Sequence, residues 1–421
     1  MSFPSCRLCG AELRRTFVDL GMSPPCELIL GSDQIDAGET FYPLHVRICE
    51  QCLLVQLPAY IPADEIFTDE YAYYSSYSDS WVQHARRFVT DAASRFGLSE
   101  HSFVVEVASN DGYLLQHSVA LGIRSLGIEP TANTAAVAQA KGIQTEVTFL
   151  GEGTGRDVAA RHGRADLVVA NNVFAHVPDI VDFARGLRAL VADHGVVSIE
   201  IPHLLQLIRH SEFDTIYHEH YSYLSVLTAQ RVLAAAGLTL FDVEELPTHG
   251  GSMRLWSVPA ESAPRIRSSV ARLLADEAAA GLDSVAGHAG FARQVASIRN
   301  DFVEFLVGCQ RQGLRVAGYG APGKGNTLLN YCGVRSDLIE FVVDRNPHKH
   351  GKFLPGTHIP IHPVEKLDAE QPDYVVIMPW NLRKEISAQL HHVHAWGGEL
   401  VVALPRLEVI DSIRAVERNA S

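Results

Sequence analysis

Five consecutive residues, Tyr217-His218-Glu219-His220-Tyr221, gather acid/base groups at a density that a plain solvated loop does not need. An imidazole of ordinary pKa, about 6.5, suits proton abstraction near neutral pH. A neighbouring carboxylate such as Glu219 can orient the ring and raise its basicity, and a tyrosine hydroxyl such as Tyr217 can donate to a developing oxyanion. His176, closing Asn171-Asn172-Val173-Phe174-Ala175-His176, is a further candidate from a second segment. The chain carries 20 histidines, so the signal lies in the cluster and not in any one ring.

A second chemical feature is the turn Glu106-Val107-Ala108-Ser109-Asn110-Asp111-Gly112 at the end of an apolar strand. Small residues at Ala108 and Gly112 allow close backbone approach, and open α/β sheets bind ligands at the carboxyl ends of such strands. Glu129 ends the next strand, placed to accept from both ribose hydroxyls of a nucleoside cofactor. The turn lacks a glycine-rich phosphate cradle, which argues against a pyrophosphate and for S-adenosylmethionine. Glu106, Ala108, Asn110, Gly112, Glu129, Pro130, Phe149, Asn171 and Asn172 are the candidate cofactor residues. Asn171, Asn172 and Phe174 would meet its methionine and adenine ends.

The elements that position these groups alternate. Strands are expected at Phe103–Ala108, Ser125–Glu129, Ala165–Asn171, Val196–Ile201, Leu238–Glu244 and Met253–Val258. Helices are expected at Ile180–Ala192 and Thr228–Ala236, giving a mostly parallel, doubly wound sheet. Long amphipathic helices are expected across Ala263–Gly313. A second alternation follows, with strands at Leu314–Gly318, Leu338–Val343, Tyr374–Met378 and Leu400–Leu404. The expected division is 1–70, 71–260 and 261–421.

The first segment is loop-rich and carries Cys6-x-x-Cys9 and Cys49-x-x-Cys52. Paired short spacings of this kind hold zinc tetrahedrally through four thiolates, which closes the coordination sphere and makes the metal structural. Cys26 is a spare thiol that could replace one ligand. At 421 residues, 47% hydrophobic and 20% charged, the chain has material for two or three soluble cores. Its net charge of −14, with no Lys/Arg-rich run, excludes a general nucleic-acid binder. Neither a signal peptide nor an apolar run of membrane-spanning length is found, so a cytoplasmic protein without a membrane partner is expected.

Glu70-Tyr71-Ala72-Tyr73-Tyr74-Ser75-Ser76-Tyr77 adds an aromatic cluster, mostly for packing, with one or two rings able to cover the substrate. Taken together, the two CxxC pairs, Tyr-x-Tyr-Tyr-Ser-Ser-Tyr-Ser, Glu-Val-Ala-Ser-Asn-Asp-Gly, Asn-Asn-Val-Phe-Ala-His, Tyr-His-Glu-His-Tyr and Gly-Tyr-Gly-Ala-Pro-Gly-Lys-Gly-Asn resemble the S-adenosylmethionine-dependent sugar C-3′-methyltransferases of TDP-deoxysugar biosynthesis. Those enzymes make branched sugars of the mycarose, tetronitrose and kijanose kind. The resemblance covers essentially the whole chain. It implies an α/β protein with a small N-terminal zinc-binding module, a central class I, Rossmann-like methyltransferase domain and a second Rossmann-like C-terminal domain that helps hold the nucleotide sugar. It further implies methylation of C-3′ of a TDP-4-keto-deoxysugar, with His220 as general base and Tyr217, Glu219, His176 and Tyr71 in the catalytic site. Tyr74, Ser75, Tyr77, Tyr221, Gly320, Lys324 and Asn326 are the expected substrate contacts. Base and methyl donor on opposite faces predict inversion, and a monomer is expected.

The last motif keeps a rival open. Gly318, Gly320 and Gly323 satisfy Gly-x-Gly-x-x-Gly after a strand, and Asp344 ends the next strand. That is a dinucleotide fingerprint, and it admits an NAD-dependent nucleotide-sugar dehydrogenase. Gly325 stands where a P-loop needs Ser or Thr, which disfavours ATP hydrolysis.

Overall fold

The computed structural model describes residues 3–68, 71, 73–262 and 265–410. Glu70 and Ala72 of the tyrosine motif, and Ala263 at the start of the expected helical stretch, lie outside these residues. Contacts group the chain into two units. The first comprises Met1–Arg15, Arg47–Leu205 and Glu219–Gly287, and the second Thr16–Val46, Gln206–His218 and His288–Ser421. This grouping crosses the divisions read along the sequence, because the chain leaves each unit and returns to it.

The first unit is built on a seven-stranded sheet. Its order is Leu238–Leu246, Ser252–Pro259, Val191–Pro202, Ala165–Asn171, Phe103–Val107, Arg124–Ile128, Thr145–Glu146. Five of these strands run parallel, and Ser252–Pro259 is antiparallel to both of its neighbours. Every residue of Phe103–Val107 is buried, as expected of a central parallel strand covered on both faces. Helix Asp79–Phe96 starts on Ser78, whose side chain accepts from Trp81 N, and stops at Gly97 in the left-handed conformation. Its buried Ala85, Phe88, Val89 and Ala92 form one face at helical spacing.

The expected helix Ile180–Ala192 ends at Leu190, and the following strand begins at Val191 rather than Val196. Val191 is fully buried and pairs with Ala165 in the parallel ladder. Sheet pairing of a β-branched residue here overrides the helical pattern.

The second unit holds a six-stranded sheet ordered Ile361–His362, Val342–Val343, Val316–Tyr319, Tyr374–Ile377, Glu399–Val402, Glu408–Ile410. All neighbours are parallel except the last pair. Helices Phe291–Gln312 and Gly323–Cys332 belong to it. The early segment Thr16–Val46 is held in this unit: Phe17 stacks on Phe291 at 4.7 Å, and Leu30 and Phe353 exchange backbone hydrogen bonds. Among the described residues no helix is long and apolar enough to cross a membrane.

Candidate active site

In the first unit the chain leaves Phe103–Val107 toward one edge of the sheet and Ala165–Asn171 toward the other. A crevice therefore opens at the carboxyl ends of these neighbouring strands. Ala108, Asn110 and Asn172 carry positive φ of 56°, 49° and 51° at this edge. Left-handed backbone at non-glycine residues is costly and concentrates at functional sites. Gly112, at φ 77°, has backbone that a side chain would strain, and a Cβ there would lie 2.4 Å from Ile143 Cδ1 and 3.3 Å from Ala138 Cβ.

Polar atoms at this edge are buried without partners. Asn172 Oδ1 and Ser109 Oγ have no hydrogen-bond partner, and buried Glu106 and Asn171 have none but the Tyr113 hydroxyl. Burial holds the Glu106 carboxyl well above the ordinary carboxylate range. Buried polar groups are normally paired, so a row of orphans marks where a polar ligand completes the bonding. These atoms fit the polar ends of S-adenosylmethionine. Glu129 is only partly available: one oxygen accepts from Asn110 N at 2.8 Å and the other from Thr131 N at 2.9 Å. The second oxygen also accepts from Thr131 Oγ1 at 2.5 Å, so only the oxygen bonded to Asn110 N keeps a lone pair for a ribose hydroxyl. Phe149 is exposed, and its ring is free of the core.

The tyrosine segment closes onto this turn. Asn110 bridges it, donating to Tyr73 O at 3.1 Å and accepting from Ser75 N at 2.9 Å, while Ser76 Oγ donates to Asp111. Asn133 donates to Tyr71 O at 2.8 Å and to the Tyr74 hydroxyl at 3.1 Å. Tyr74 and Tyr77 stack at 5.3 Å, and Tyr77 is exposed. Asn110 thus spends its side chain on the chain itself.

His176 and His220 meet in this unit, ring centroids 4.6 Å apart and nearly perpendicular. His176 Nδ1 is shielded without a hydrogen-bond partner, and burial lowers its pKa to about 4. It is therefore neutral at physiological pH, a donor or acceptor rather than a cation. Phe67 lies edge-on to both His176 and Tyr71. Glu219 and His220 are both largely buried. The pair can hold and move a proton beside the cofactor crevice.

Tyr221 corrects an expectation. It is fully buried, its hydroxyl donates to Ile61 O at 2.9 Å, and Arg7 lies over its ring at 5.4 Å. A hydroxyl already used within the core has no proton to offer a substrate, so Tyr221 is a packing residue. Tyr217 falls in the second unit, because the unit boundary divides the five-residue motif after His218.

Three family models match the chain: a zinc binding domain over residues 6–67, a methyltransferase domain over 81–243, and a C-methyltransferase C-terminal domain over 247–405. The chain is 36% identical over 407 residues to the C-methyltransferase NovU of Streptomyces niveus, covering 97% of both proteins. It belongs to the C-methyltransferase family. Among solved structures, an S-adenosylmethionine-dependent methyltransferase from Clostridium acetobutylicum aligns with TM-score 0.35 and 9% identity, over 42% of this chain and 92% of that one. Magnesium protoporphyrin IX methyltransferase from Synechocystis PCC 6803 aligns with TM-score 0.32 and 14% identity, over 43% and 82%. The family's methyl donor is S-adenosylmethionine, whose polar ends the orphaned atoms of this edge would suit.

The zinc module of this C-methyltransferase is formed by the expected thiols. The sulfurs of Cys6, Cys9, Cys49 and Cys52 all lie within 4.8 Å of one another. Tetrahedral zinc with Zn–S near 2.3 Å requires S···S of about 3.8 Å, which such a group can meet. The knuckle turns end in left-handed residues, Gly10 at φ 75° and Leu53 at φ 63°. Cys26 is not of this group; it is buried in the second unit beside Gly323.

In that second unit the glycine loop is already occupied by its own chain. Ala321 N donates to Asp344 Oδ2 at 2.7 Å. A Cβ on Gly323 would lie 2.8 Å from Glu27 Oε1, and Gly323 N is a hydrogen-bond donor to that carboxylate. Gly320 is required by Pro379, 2.8 Å from where its Cβ would be. Donors a dinucleotide needs are thus taken, and nothing supports the dehydrogenase alternative. Lys324 donates to Asn381 Oδ1 at 3.0 Å, while Asn326 is buried with its Nδ2 unpartnered. Sequence reasoning missed Tyr113, buried beside Glu106, and the Glu212/Asp214 pair beside Lys324. No local pattern signals either, because Tyr113 also meets Asn171, and Glu212 and Asp214 meet Lys324, across long stretches of sequence.

Proposed function

We propose that this C-methyltransferase moves a methyl group to C-3′ of a TDP-4-keto-deoxysugar, with His220 as the base. The observation that carries the reading is the perpendicular His176–His220 pair at the edge that holds Asn171 and the unpartnered Asn172 Oδ1. A C-4′ ketone acidifies the neighbouring C–H bonds, so an imidazole of ordinary basicity suffices to remove the proton. The enolate oxygen needs a donor, for which neutral His176 has the right chemistry. Glu219 orients the base ring and stabilises the imidazolium once it carries the proton. Bound S-adenosylmethionine supplies an electrophilic methyl to the carbon so exposed. Holding both reactants in line removes much of the entropic barrier, and opposite-face attack gives inversion. Tyr71, Tyr74, Ser75 and Tyr77 cover the sugar.

The test is mass spectrometry and NMR of the product made in deuterated water, with and without methyl donor. Deuterium entering C-3′ without donor, abolished in His220→Ala, is the expected result. Both C-3′ and C-5′ flank the ketone, so label or methyl at C-5′ would overturn the position, and intact methylation by His220→Ala would overturn the base.

A further inference from the structure

The proposed reaction makes no use of the most completely buried charge near the crevice. Glu200, at the end of Val191–Pro202, has a side chain with 0% exposure. His84 Nε2 lies 2.9 and 3.0 Å from its oxygens, Arg254 Nη2 donates at 2.7 Å, and Thr248 Oγ1 donates at 3.1 Å. Its own carbonyl accepts from Asn172 N at 2.7 Å. A buried carboxylate held by a guanidinium, an imidazole and a hydroxyl is a fixed point, since losing one partner strands the others in low dielectric.

Two routes lead from that fixed point to the cofactor residues. Thr248 begins a short turn whose His249, at φ 54°, places Nε2 3.4 Å from Asn172 Nδ2. His84 stacks on Trp81 at 4.8 Å and 16°. Trp81 in turn stacks on Tyr113 at 6.0 Å and meets His249 edge-on at 5.2 Å. Tyr113 is the buried neighbour of Glu106 and Asn171. Both routes therefore end on residues of the crevice edge, and both hold backbone that is strained at Asn172 and His249.

We infer that Glu200 is a positioning residue for the adenosyl cofactor: through Thr248–His249 and His84–Trp81–Tyr113 it fixes Asn172, Asn171 and Glu106 in their binding geometry. Strained turns persist only where surrounding contacts over-determine them, and Glu200 supplies those contacts. The role concerns the cofactor alone and is independent of which sugar is methylated.

The test is calorimetric titration of the full chain with S-adenosylhomocysteine, alongside melting temperature. Glu200→Gln is expected to weaken binding about tenfold, as loss of a supporting shell does. Thr248→Val removes one hydroxyl without changing volume and is expected to weaken binding about threefold with the melting temperature held within about 2 °C. Thr248→Ser, which keeps the hydroxyl, should restore wild-type binding. A purely structural role would lower the melting temperature and leave affinity intact; that result overturns the inference. So does equal weakening in the Val and Ser variants. If Glu200→Gln does not fold, the threonine pair decides alone.

Discussion

Two strand-to-helix turns in this molecule have nearly the same sequence credentials and opposite chemical states. The Glu106–Gly112 turn leaves buried Ser109 Oγ and Asp111 Oδ1 without partners. The Gly318–Gly325 loop has given Ala321 N to Asp344 and Gly323 N to Glu27. Spacing of glycines, the better motif by pattern, belongs to the closed loop. What separates a ligand site from a structural turn here is whether the hydrogen bonds are already made.

The comparison breaks most sharply at its glycines. Gly112→Val places carbon against Ile143 at a left-handed position, and should cut S-adenosylhomocysteine affinity by about a hundredfold in calorimetry. Affinity within a few-fold of wild type would mean the turn is not the cofactor seat. Gly323→Ala drives a methyl against Glu27 and should lower unfolding stability by about 1–2 kcal/mol, with cofactor affinity unchanged. Denaturant titration and calorimetry read both, and a stable variant that loses cofactor binding would reverse the assignment of the two loops.

A smaller effect compares the units by pH. Burial lowers His176 in the first unit and His218 in the second to about 4. Their folded pKa lies below the unfolded value of about 6.5, so the unfolded chain binds more protons in between. This stability is complete above pH about 6.5 and is lost as pH falls toward 4. For His218, buried to 3% exposure, the loss is on the order of 2 kcal/mol. His218→Asn should flatten the acid limb of the stability curve measured from pH about 7.5 to 4. An unchanged limb would mean other groups carry the acid sensitivity.

Much of the plan was legible beforehand. Burial on both faces makes strands such as Phe103–Val107 continuous apolar runs, and paired short cysteine spacings suit zinc, so strand positions and metal ligands are written locally. His176 and His220 stand out as candidates from separate segments because His220 sits in a dense acid/base cluster and His176 follows a strand that opens onto the same sheet edge. Tyr221 misled for the same reason: its neighbours are chemical, and only burial against Ile61 reveals a core residue.

By itself, the sequence determined the element types, the four cysteine ligands and the presence of an acid/base cluster, since these follow from periodicity and side-chain chemistry. Tertiary structure alone decided that Thr16–Val46 joins the second unit, that Glu27 fills the glycine loop, and that Glu200 gathers His84, Arg254 and Thr248. Those outcomes rest on hydrogen bonds between residues far apart in the chain. Whether a polar group is satisfied or left open depends on what folding brings beside it, and no local pattern carries that information.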